Sequence, residues 1–455
     1  MSKLWAKGCQ LDSLIERFTV GEDYKLDSRL IPADILGSLA HAAMLNSLHL
    51  LSADQYSALK EGLLQILEEH ESGRFTIAEA DEDGHTAIEN RLTKLTGDTG
   101  KRIHLGRSRN DQVLTAMRIW MRHAVFQLAE TGAGLIAELL DFAQKGENIP
   151  MPGRTHTQPA MPSSVGLWAG GFAEQLTDDI QGIAHLFPYL DQCPLGTGAG
   201  YGVPLPLNRE LTASLLGFSR IQNNAAYCGL SRGKFESRLI DAAEQAAITL
   251  SKLAADLILF SLPEFGWFTL PAELCTGSSI MPQKRNPDAL ELMRAKAASV
   301  GGWSVQVKNI IRALPSGYNR DYQDTKEPVM RTVDTVLIML QTAQLTINRL
   351  EINHPRLEKS FDSSLFATDA AIALTSQGVS FREAYRKTAA HPEKVASKNP
   401  REAIAERTSS GTPGNLRLDR AHENLETLRQ ETSRRRSETE AALTKLAGHP
   451  VLVFA

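Results

Sequence analysis

The chain has 455 residues, of which 42% are hydrophobic and 22% are charged, a balance typical of a folded globular protein rather than a disordered or collagen-like one. Its 49 basic and 53 acidic side chains give a net charge of −4, which excludes a basic surface that binds nucleic acid along a whole face. Aromatic residues make up only 6%, whereas Leu and Ala recur, so the composition favours helices over sheets. We expect an all-α protein of about three domains, at roughly 150 residues per domain.

The cysteines and the apolar segments of the sequence indicate the cellular compartment in which we expect the protein. Cys9, Cys193, Cys228 and Cys275 lie far apart without a C-x-x-C pair, so we expect neither disulfides nor a metal site. The first ten residues lack an apolar run behind their lysines, and no stretch of about 18 uncharged apolar residues follows, so the sequence predicts neither a signal peptide nor a membrane span. The expectation is a cytoplasmic protein without membrane or nucleic-acid partners.

Helical periodicity begins near residue 35, after a start that shows no sustained period. Apolar residues at helical spacing predict two early helices, over 35–43 and 59–67. The second opens with a capping box between Ser52 and Gln55 and is expected to stop near Gly73. Longer stripes over 113–146, 239–262, 289–314 and 329–350 far exceed the average helix of about 11–12 residues. Long antiparallel helices of this kind predict a helical bundle.

The pattern also suggests domain boundaries. The long stripes follow a polar stretch that ends near residue 112, and the periodicity weakens from His354. A polar segment then precedes a charged helix that carries Arg434, Arg435 and Arg436, a triplet interpreted as a solvated helix face. We predict an N-terminal helical domain over 1–105, a central long-helix domain over 106–353 and a small C-terminal helical domain over 354–455.

Four loops between the long helices are rich in Gly and Pro and also carry polar side chains. They span 151–162, 194–206, 274–288 and 315–328. Loops at helix ends commonly carry binding and catalytic residues on a rigid scaffold, so we expect function here. Three of these loops, those that contain His156, Ser278 and Tyr318, together with the helix start around Arg109, supply a hydroxyl, an imidazole, several cations and amides, without a metal cluster or a phosphate-binding loop.

The loop over 276–288 is the most informative of these. Asn286, Pro287 and Asp288 form a helix-start signature, with Asn286 as the predicted N-cap. A helix N-terminus offers free N–H groups to an anion, and Lys284 adds a positive charge, so a carboxylate would bind well there. The alternative is that Ser278 and its neighbours only cap and turn the chain.

The other loops allow the same two interpretations. A second helix start, around Arg109, again combines cations with cap residues. His156 lies in a Pro-bounded loop, where it is either a general acid or base or an ordinary surface residue. The polar run over 318–326 is either a solvated connector or part of a site.

Four segments carry a resemblance to a known family. The stretch GSSIMPQKRNPD, at 277–288, resembles the signature loop of the fumarase, aspartase and argininosuccinate lyase superfamily. Three further stretches resemble argininosuccinate lyases rather than fumarases or adenylosuccinate lyases; they are GRSRNDQ at 106–112, MPGRTHTQPAMP at 151–162 and LPSGYNRDYQDTKE at 314–327. The resemblance extends from about Leu4 to Leu350 and is weaker in the last hundred residues.

This resemblance implies an architecture and an activity. The family is an all-α homotetramer whose long helices form a twenty-helix core, and each active site is assembled from three subunits. The implied reaction is the reversible cleavage of argininosuccinate to arginine and fumarate, without a cofactor or a metal, in arginine biosynthesis. The expected partners are therefore the small-molecule substrate and other copies of the same chain.

The resemblance also assigns roles to residues. Ser278 matches the catalytic base that forms an aci-carboxylate dianion, and Lys284 with the loop N–H groups would stabilise its charge. His156, paired with Glu291, matches the other acid or base; which of Ser278 and His156 acts on the leaving group stays open. The matches to substrate-binding positions are Ser108, Arg109, Asn110, Thr155, Asn286, Tyr318, Gln323 and Lys326, and Arg232 matches less closely.

Two alternatives remain at this point. One is another lyase of the superfamily that releases fumarate from a different succinyl adduct, although Tyr318, Gln323 and Lys326 favour argininosuccinate. The other is a non-enzymatic, crystallin-like structural use of the scaffold, which the intact set of Ser278, His156, Lys284 and Glu291 disfavours.

Overall fold

The structure, a computed structural model, describes residues 12–454, so Cys9 and the N-terminal segment that bears on a signal peptide lie outside the described residues. Within residues 12–454 the α-helices are α1 (Ser13–Val20), α2 (Asp23–Ser28), α3 (Ile31–Ser47), α4 (Ala53–Glu71), α5 (Gly84–Thr96), α6 (Arg109–Lys145), α7 (Val165–Ala184), α8 (Phe187–Leu190), α9 (Arg209–Leu215), α10 (Ala225–Leu230), α11 (Lys234–Ser261), α12 (Asp288–Ile311), α13 (Lys326–Arg349), α14 (His354–Lys359), α15 (Ala367–Ser376), α16 (Phe381–Ala390), α17 (Pro400–Ala405) and α18 (Leu418–Ala447). Two short antiparallel pairs complete the fold, β1 (Pro150–Thr155) with β2 (Gln158–Ser164), and β3 (Phe268–Thr269) with β4 (Glu351–Ile352). The predicted all-α class is confirmed.

The centre of the molecule is a bundle of five long helices, α6, α7, α11, α12 and α13, which pack along one another. Their facing sides bury Leu, Ala, Val and Ile in one continuous core that extends into α3 and α4. The four long helices predicted from periodicity are confirmed, each within a few residues of its expected ends. Burial of these apolar faces away from water is the main stabilising contribution to such a bundle.

Helix α7 was not predicted, because its first turns contain Gly166, Gly170 and Gly171, which lower helix propensity. The structure shows why one of these positions is small. A Cβ atom at Gly166 would lie 2.7 Å from the carbonyl oxygen of Ala143. Gly166 therefore lets the start of α7 lie close to the end of α6.

The N-terminal helices cover one end of the bundle. Helices α3 and α4 confirm the two early predictions, including the capping box in which Gln55 and Ser52 exchange hydrogen bonds. Helices α1 and α2 were not predicted, since their sequence has no apolar period. Helix α2 instead buries the carboxylates of Asp23 and Asp27, which are paired with a residue about 300 positions away in the chain.

The last hundred residues divide between two cores. Phe366, Val395 and Ala403 form a small separate cluster, whereas α18 packs on α6 and α7 and adds Leu425 and Leu443 to the main core. Within the basic triplet of α18, Arg434 and Arg436 pair with Glu438 and Glu440. The three-domain division stays a prediction, and any boundary near His354 must allow for α18 lying on the bundle.

The segment over 151–162 was expected to be a loop, and that expectation was wrong. It forms the β1–β2 hairpin, whose two-residue tip is His156 and Thr157. Its prolines argued against strands in the sequence, but a two-stranded pair consists only of edges, where Pro is tolerated.

Among the described helices, none is both long enough and apolar enough to span a bilayer.

We predict that Gly132→Ala lowers the free energy of unfolding by about 1–3 kcal/mol through overpacking. A Cβ atom at Gly132 would lie 2.6 Å from Cγ1 of Ile180, a fully buried side chain of α7. The intrinsic gain from replacing Gly by Ala in a helix, about 1 kcal/mol, opposes this loss. Urea unfolding followed by circular dichroism measures the net change.

Gly182→Ala is the matched control, because a Cβ atom there meets no heavy atom within 4 Å. We expect its stability to equal or slightly exceed that of the wild type. Gly132→Ala should be less stable than Gly182→Ala by the overpacking cost of about 1–3 kcal/mol, and equal stability of the two variants would contradict the tight crossing of α6 and α7.

Candidate active site

A pocket opens where the N-terminus of α6 meets two loops. Its lining includes Asn110, residues 197–201, Arg232 and Tyr318, and we call it the glycine-loop pocket. Its volume is about 90 Å³, whereas ligand pockets usually begin at roughly 300 Å³. This pocket by itself therefore holds only part of a small-molecule substrate.

The buried carboxylate of Asp111 fixes the glycine-rich wall of this pocket. Its Oδ2 accepts hydrogen bonds from the N–H groups of Gly196 and Gly198 at 3.0 and 2.9 Å, and its Oδ1 accepts one from Ser108 N–H at 2.9 Å. Burial raises the pKa of Asp111 to about 6, although these N–H groups oppose the rise. The carboxylate is thus ionised at neutral pH and holds a loop in which every second residue from 196 to 202 is a glycine with positive φ.

Arg232 is the buried cation of the pocket. Its guanidinium carbon lies 5.3 Å from the ring centroid of Tyr318 and 5.9 Å from that of Tyr322. Gln323 Nε2 lies 3.5 Å from the Tyr318 hydroxyl. Tyr318 and Gln323, from one loop, therefore converge with Arg232, which lies just before the start of α11. A buried guanidinium of this kind suits the recognition of a carboxylate.

Ser108 and Arg109 lie at the start of α6, next to this pocket. The Ser108 hydroxyl caps the helix by accepting a hydrogen bond from Asn110 N–H at 3.3 Å. Arg109 turns toward α5, where Nη1 lies 3.0 Å from Asp83 and Nη2 donates to the Thr86 hydroxyl at 3.1 Å. In a single chain Arg109 is therefore engaged with protein partners.

Lys326 is buried and does not line the pocket. Its Nζ is 2.5 Å from Asp23 and 2.6 Å from Asp27, and its side chain is 2% exposed. Burial lowers the pKa of Lys326, but the two carboxylates outweigh it and raise the pKa overall. A direct contact between Lys326 and substrate stays a prediction, and it requires these ion pairs to open.

The loop that carries Ser278 is closed at its base and exposed at its tip. Thr276 and Asn286 exchange backbone hydrogen bonds at 3.0 and 2.8 Å, and Asn286 Nδ2 donates to Gly277 O. The chain is exposed from Ser279 to Arg285, which includes Lys284, and Glu291 is exposed on α12. Helix α12 begins at Asp288 with Pro287 as its N-cap, so the predicted capping role of Asn286 was wrong.

The Ser278 hydroxyl is held by backbone donors. Its Oγ accepts hydrogen bonds from the N–H groups of Met281 and Ile280 at 3.2 and 3.4 Å. Donors of this kind stabilise negative charge on the oxygen that they face. Ile280 itself is 83% exposed, so the turn that provides these donors projects from the chain.

His156 and Thr155 lie at the exposed tip of the β1–β2 hairpin. His156 and Thr157 both adopt positive φ, of 51° and 59°, as the tip of a tight two-residue hairpin requires. Such conformations of non-glycine residues cost about 1–3 kcal/mol each and occur preferentially at functional sites. The side chain of His156 is therefore presented outward by a strained turn.

The predicted site residues thus form three groups in one chain. The first group consists of Asn110 and Tyr318, which line the glycine-loop pocket, Gln323, which contacts Tyr318, and Ser108, Arg109 and Lys326, which are close to these residues in the chain. The second group is the Ser278 loop with Lys284, Asn286 and Glu291, and the third is the hairpin tip. Across residues 12–454 no hydrogen bond or ion pair joins these groups to one another, and none links His156 to Glu291.

Sequence reasoning missed the buried charges that support the pocket. Asp111 was visible only as part of a helix start, and its contact with the glycine loop has no local signal. His85 and Asp34 form a second buried pair, in which the imidazole Nδ1 contacts the carboxylate of α3. In the part of the chain that the structure describes, no cluster of three or more His, Cys, Asp or Glu side chains could hold a metal ion.

Comparison with known proteins places this fold and these motifs in one class. A family model described as a lyase matches residues 7–302, more than half of the chain. The crystal structure of EDDS lyase in complex with formate superposes with a TM-score of 0.82 over 97% of this chain and 95% of that chain, at 22% identity, which shows a shared fold. The class is therefore that of a helical lyase.

Sequence relatives make the assignment narrower. Argininosuccinate lyase of Thermotoga neapolitana is 43% identical over 387 residues, which are 85% of this chain and 97% of the relative. Argininosuccinate lyase of Sorangium cellulosum is 43% identical over 417 residues, or 92% of this chain and 97% of the relative. The chain belongs to the argininosuccinate lyase family, as the motif resemblance predicted.

The His85–Asp34 pair predicts a pH-dependent stability. Burial lowers the pKa of His85, but the charge and hydrogen bond of Asp34, with Asp83 and Asp27 nearby, outweigh it and raise the pKa to about 9. An unfolded His titrates near 6.5, so the stabilisation is complete below about pH 6.5 and is lost as the pH rises toward about 9. At 1.36 kcal/mol per pKa unit, the contribution is about 3 kcal/mol.

We therefore expect His85→Gln to reduce the free energy of unfolding strongly near pH 6 and much less above pH 9. Chemical unfolding of both proteins across this range measures the difference. His185→Gln, which replaces an exposed imidazole, is the control variant. A constant penalty for His85→Gln at all pH values would contradict the charged pair.

Proposed function

We propose that this protein catalyses the reversible elimination that cleaves argininosuccinate into arginine and fumarate, without a cofactor, as a step of arginine biosynthesis. The observation that carries the proposal is the 43% identity to an argininosuccinate lyase over 92% of the chain. The glycine-loop pocket supports it, because Arg232, Asn110 and Tyr318 offer a cation, an amide and a hydroxyl to a carboxylate of the substrate.

Ser278 is proposed as the base that removes the proton next to a substrate carboxylate and leaves an aci-carboxylate dianion. A serine hydroxyl is a weak base, so its alkoxide requires stabilisation. The N–H groups of Ile280 and Met281 already face Oγ, and Lys284 lies on the same loop. These groups would stabilise both the alkoxide and the developing dianion.

His156 is proposed as the second acid or base, with Glu291 fixing the tautomer of its imidazole. Cleavage of the C–N bond requires a proton on the departing guanidinium nitrogen, and either His156 or Ser278 can deliver it. The outward presentation of His156 suits this role, because the imidazole is free to meet a substrate held elsewhere.

The site is proposed to be shared between subunits of a homotetramer. The three groups of site residues lie apart in one chain, and the glycine-loop pocket is too small for a whole substrate. The bundle helices α11, α12 and α13 also expose large apolar side chains, namely Ile248, Leu292, Val305, Ile338 and Leu345. Packing of these faces against other copies would bury them and bring the three groups together. We place the tetramer in the cytoplasm.

The first experiment measures fumarate release from argininosuccinate by the purified protein, with aspartate, malate and adenylosuccinate in parallel. We expect release from argininosuccinate alone. Ser278→Ala should abolish turnover because it removes the base, whereas Ser279→Ala, the neighbouring exposed serine, should retain it. The oligomer mass of each variant should match that of the wild type.

Other outcomes would redirect the assignment. Release from a different compound would indicate another fumarate-releasing lyase. If the intact wild-type oligomer releases no fumarate from any of these compounds, a structural, crystallin-like role is favoured. Near-normal turnover by the Ser278→Ala variant would refute the role of Ser278 as the base.

A mixing experiment tests the shared site. If Ser278 and His156 of one site come from different subunits, mixed tetramers of Ser278→Ala and His156→Asn contain some sites with neither substitution. We expect these mixtures to regain a fraction of wild-type activity although each parent is inactive. Native mass spectrometry is used to confirm that the subunits have exchanged. If activity does not recover in mixtures that have exchanged subunits, the proposed arrangement is contradicted.

A further inference from the structure

Arg154 lies two residues before His156, on strand β1 of the hairpin. Its Nε and Nη2 both donate to the carbonyl oxygen of Thr157, at 3.0 and 2.6 Å. The guanidinium therefore reaches across the two-residue tip and holds the far side of the turn. The Thr157 hydroxyl completes the contact by donating to the His156 carbonyl at 2.6 Å.

The turn needs such a restraint. Positive φ at two consecutive non-glycine residues is unfavourable, and it is worse for Thr157 because its side chain is β-branched. A sequence with Asn-Gly at these positions would adopt the turn on its own. Here the two hydrogen bonds from Arg154 oppose relaxation of the turn, which would swing His156 away.

Arg154 is itself anchored on the bundle side. Its guanidinium carbon lies 5.0 Å from the ring centroid of Phe265 and 5.9 Å from that of Trp267. Trp267 is buried, and its indole Nε1 donates to Ser360 Oγ at 2.7 Å. The cation–π contacts thus connect the hairpin tip to the segment that follows α11.

We propose that Arg154 is a positioning residue that holds His156 in its catalytic orientation. The proposal rests on the proposed function, in that His156 is taken as an acid or base. Arg154 acts through the backbone of the turn rather than on substrate, because its Nε and Nη2 are committed to Thr157 and its face is packed on the two aromatic rings.

The test compares Arg154→Gln with the wild type in kcat and KM. We expect kcat to fall about 10- to 100-fold, the loss produced by a misplacement of about 1 Å, while KM changes little. Arg154→Lys keeps the charge but loses the paired donors, so it should lie between the two. Arg238→Gln removes another arginine that stacks on an exposed ring, that of Tyr189, and should leave both constants unchanged.

Rescue separates positioning from general destabilisation. Thr157→Gly removes the penalty for positive φ, so Arg154→Gln combined with Thr157→Gly should recover kcat close to that of Thr157→Gly alone. Phe265→Leu, which removes part of the aromatic support, should lower kcat in the same direction as Arg154→Gln. Unchanged kcat in Arg154→Gln, or a double variant no better than Arg154→Gln, would overturn the proposal.

A second readout does not depend on activity. Hydrogen exchange of peptides that span residues 150–164, measured by mass spectrometry, should accelerate in Arg154→Gln and not in Arg238→Gln. Unchanged exchange would overturn the positioning role even if the wild type cleaves argininosuccinate. Accelerated exchange in a protein that cleaves no argininosuccinate would support the restraint and overturn the proposed function alone.

Discussion

The candidate site depends on the hydrogen bonds that Asp111 accepts at the N-terminus of α6, where this long buried helix begins beside the glycine-loop pocket. The carboxylate of Asp111 accepts hydrogen bonds from three backbone N–H groups there, two of which belong to the glycine loop. A buried charge is tolerated only when it is well paired or hydrogen-bonded, so the loop is constrained to stay on the helix end. The same end of α6 supplies Asn110 to the pocket. The hydrogen bonds of Asp111 therefore order both the start of α6 and the glycine loop, which together line the pocket.

Charge pairs also fix two other helix starts. Lys326 at the start of α13 is buried and is held by two carboxylates of α2, and Arg109, which is 30% exposed, is held by Asp83 at the start of α5. Removal of one partner of the buried Lys326 would leave an uncompensated charge. The bundle provides stability through apolar burial, whereas these pairs determine how the polar helix ends are arranged.

This division explains what could be predicted from the sequence. The long helices have a clear apolar period, and the Ser52–Gln55 capping box is local, so both were foreseen. Helix α2 and the contact of Asp111 with Gly196 and Gly198 depend on partners about 85 to 300 residues away and have no local pattern. The hairpin was obscured by its prolines, and α7 by its glycines, of which Gly166 is required for close packing. The candidate residues themselves were found through motifs, and the family resemblance implied that each site draws on several subunits. Which of these residues lie together in one chain is a property of three-dimensional packing.

The three groups are held with different firmness, which bears on how the site would operate. The pocket is fixed by buried charges and the hairpin tip by Arg154, but the Ser278 loop is secured chiefly at its base, by the Thr276–Asn286 backbone pair, and is exposed from Ser279 to Arg285. An exposed segment of this kind loses conformational entropy when it closes on a ligand, and that cost is met by contacts made on closure. In the proposed mechanism, the Ser278 loop would be ordered by the substrate and by neighbouring subunits, whereas the glycine-loop pocket is formed beforehand. This order would couple proton abstraction by Ser278 to correct binding.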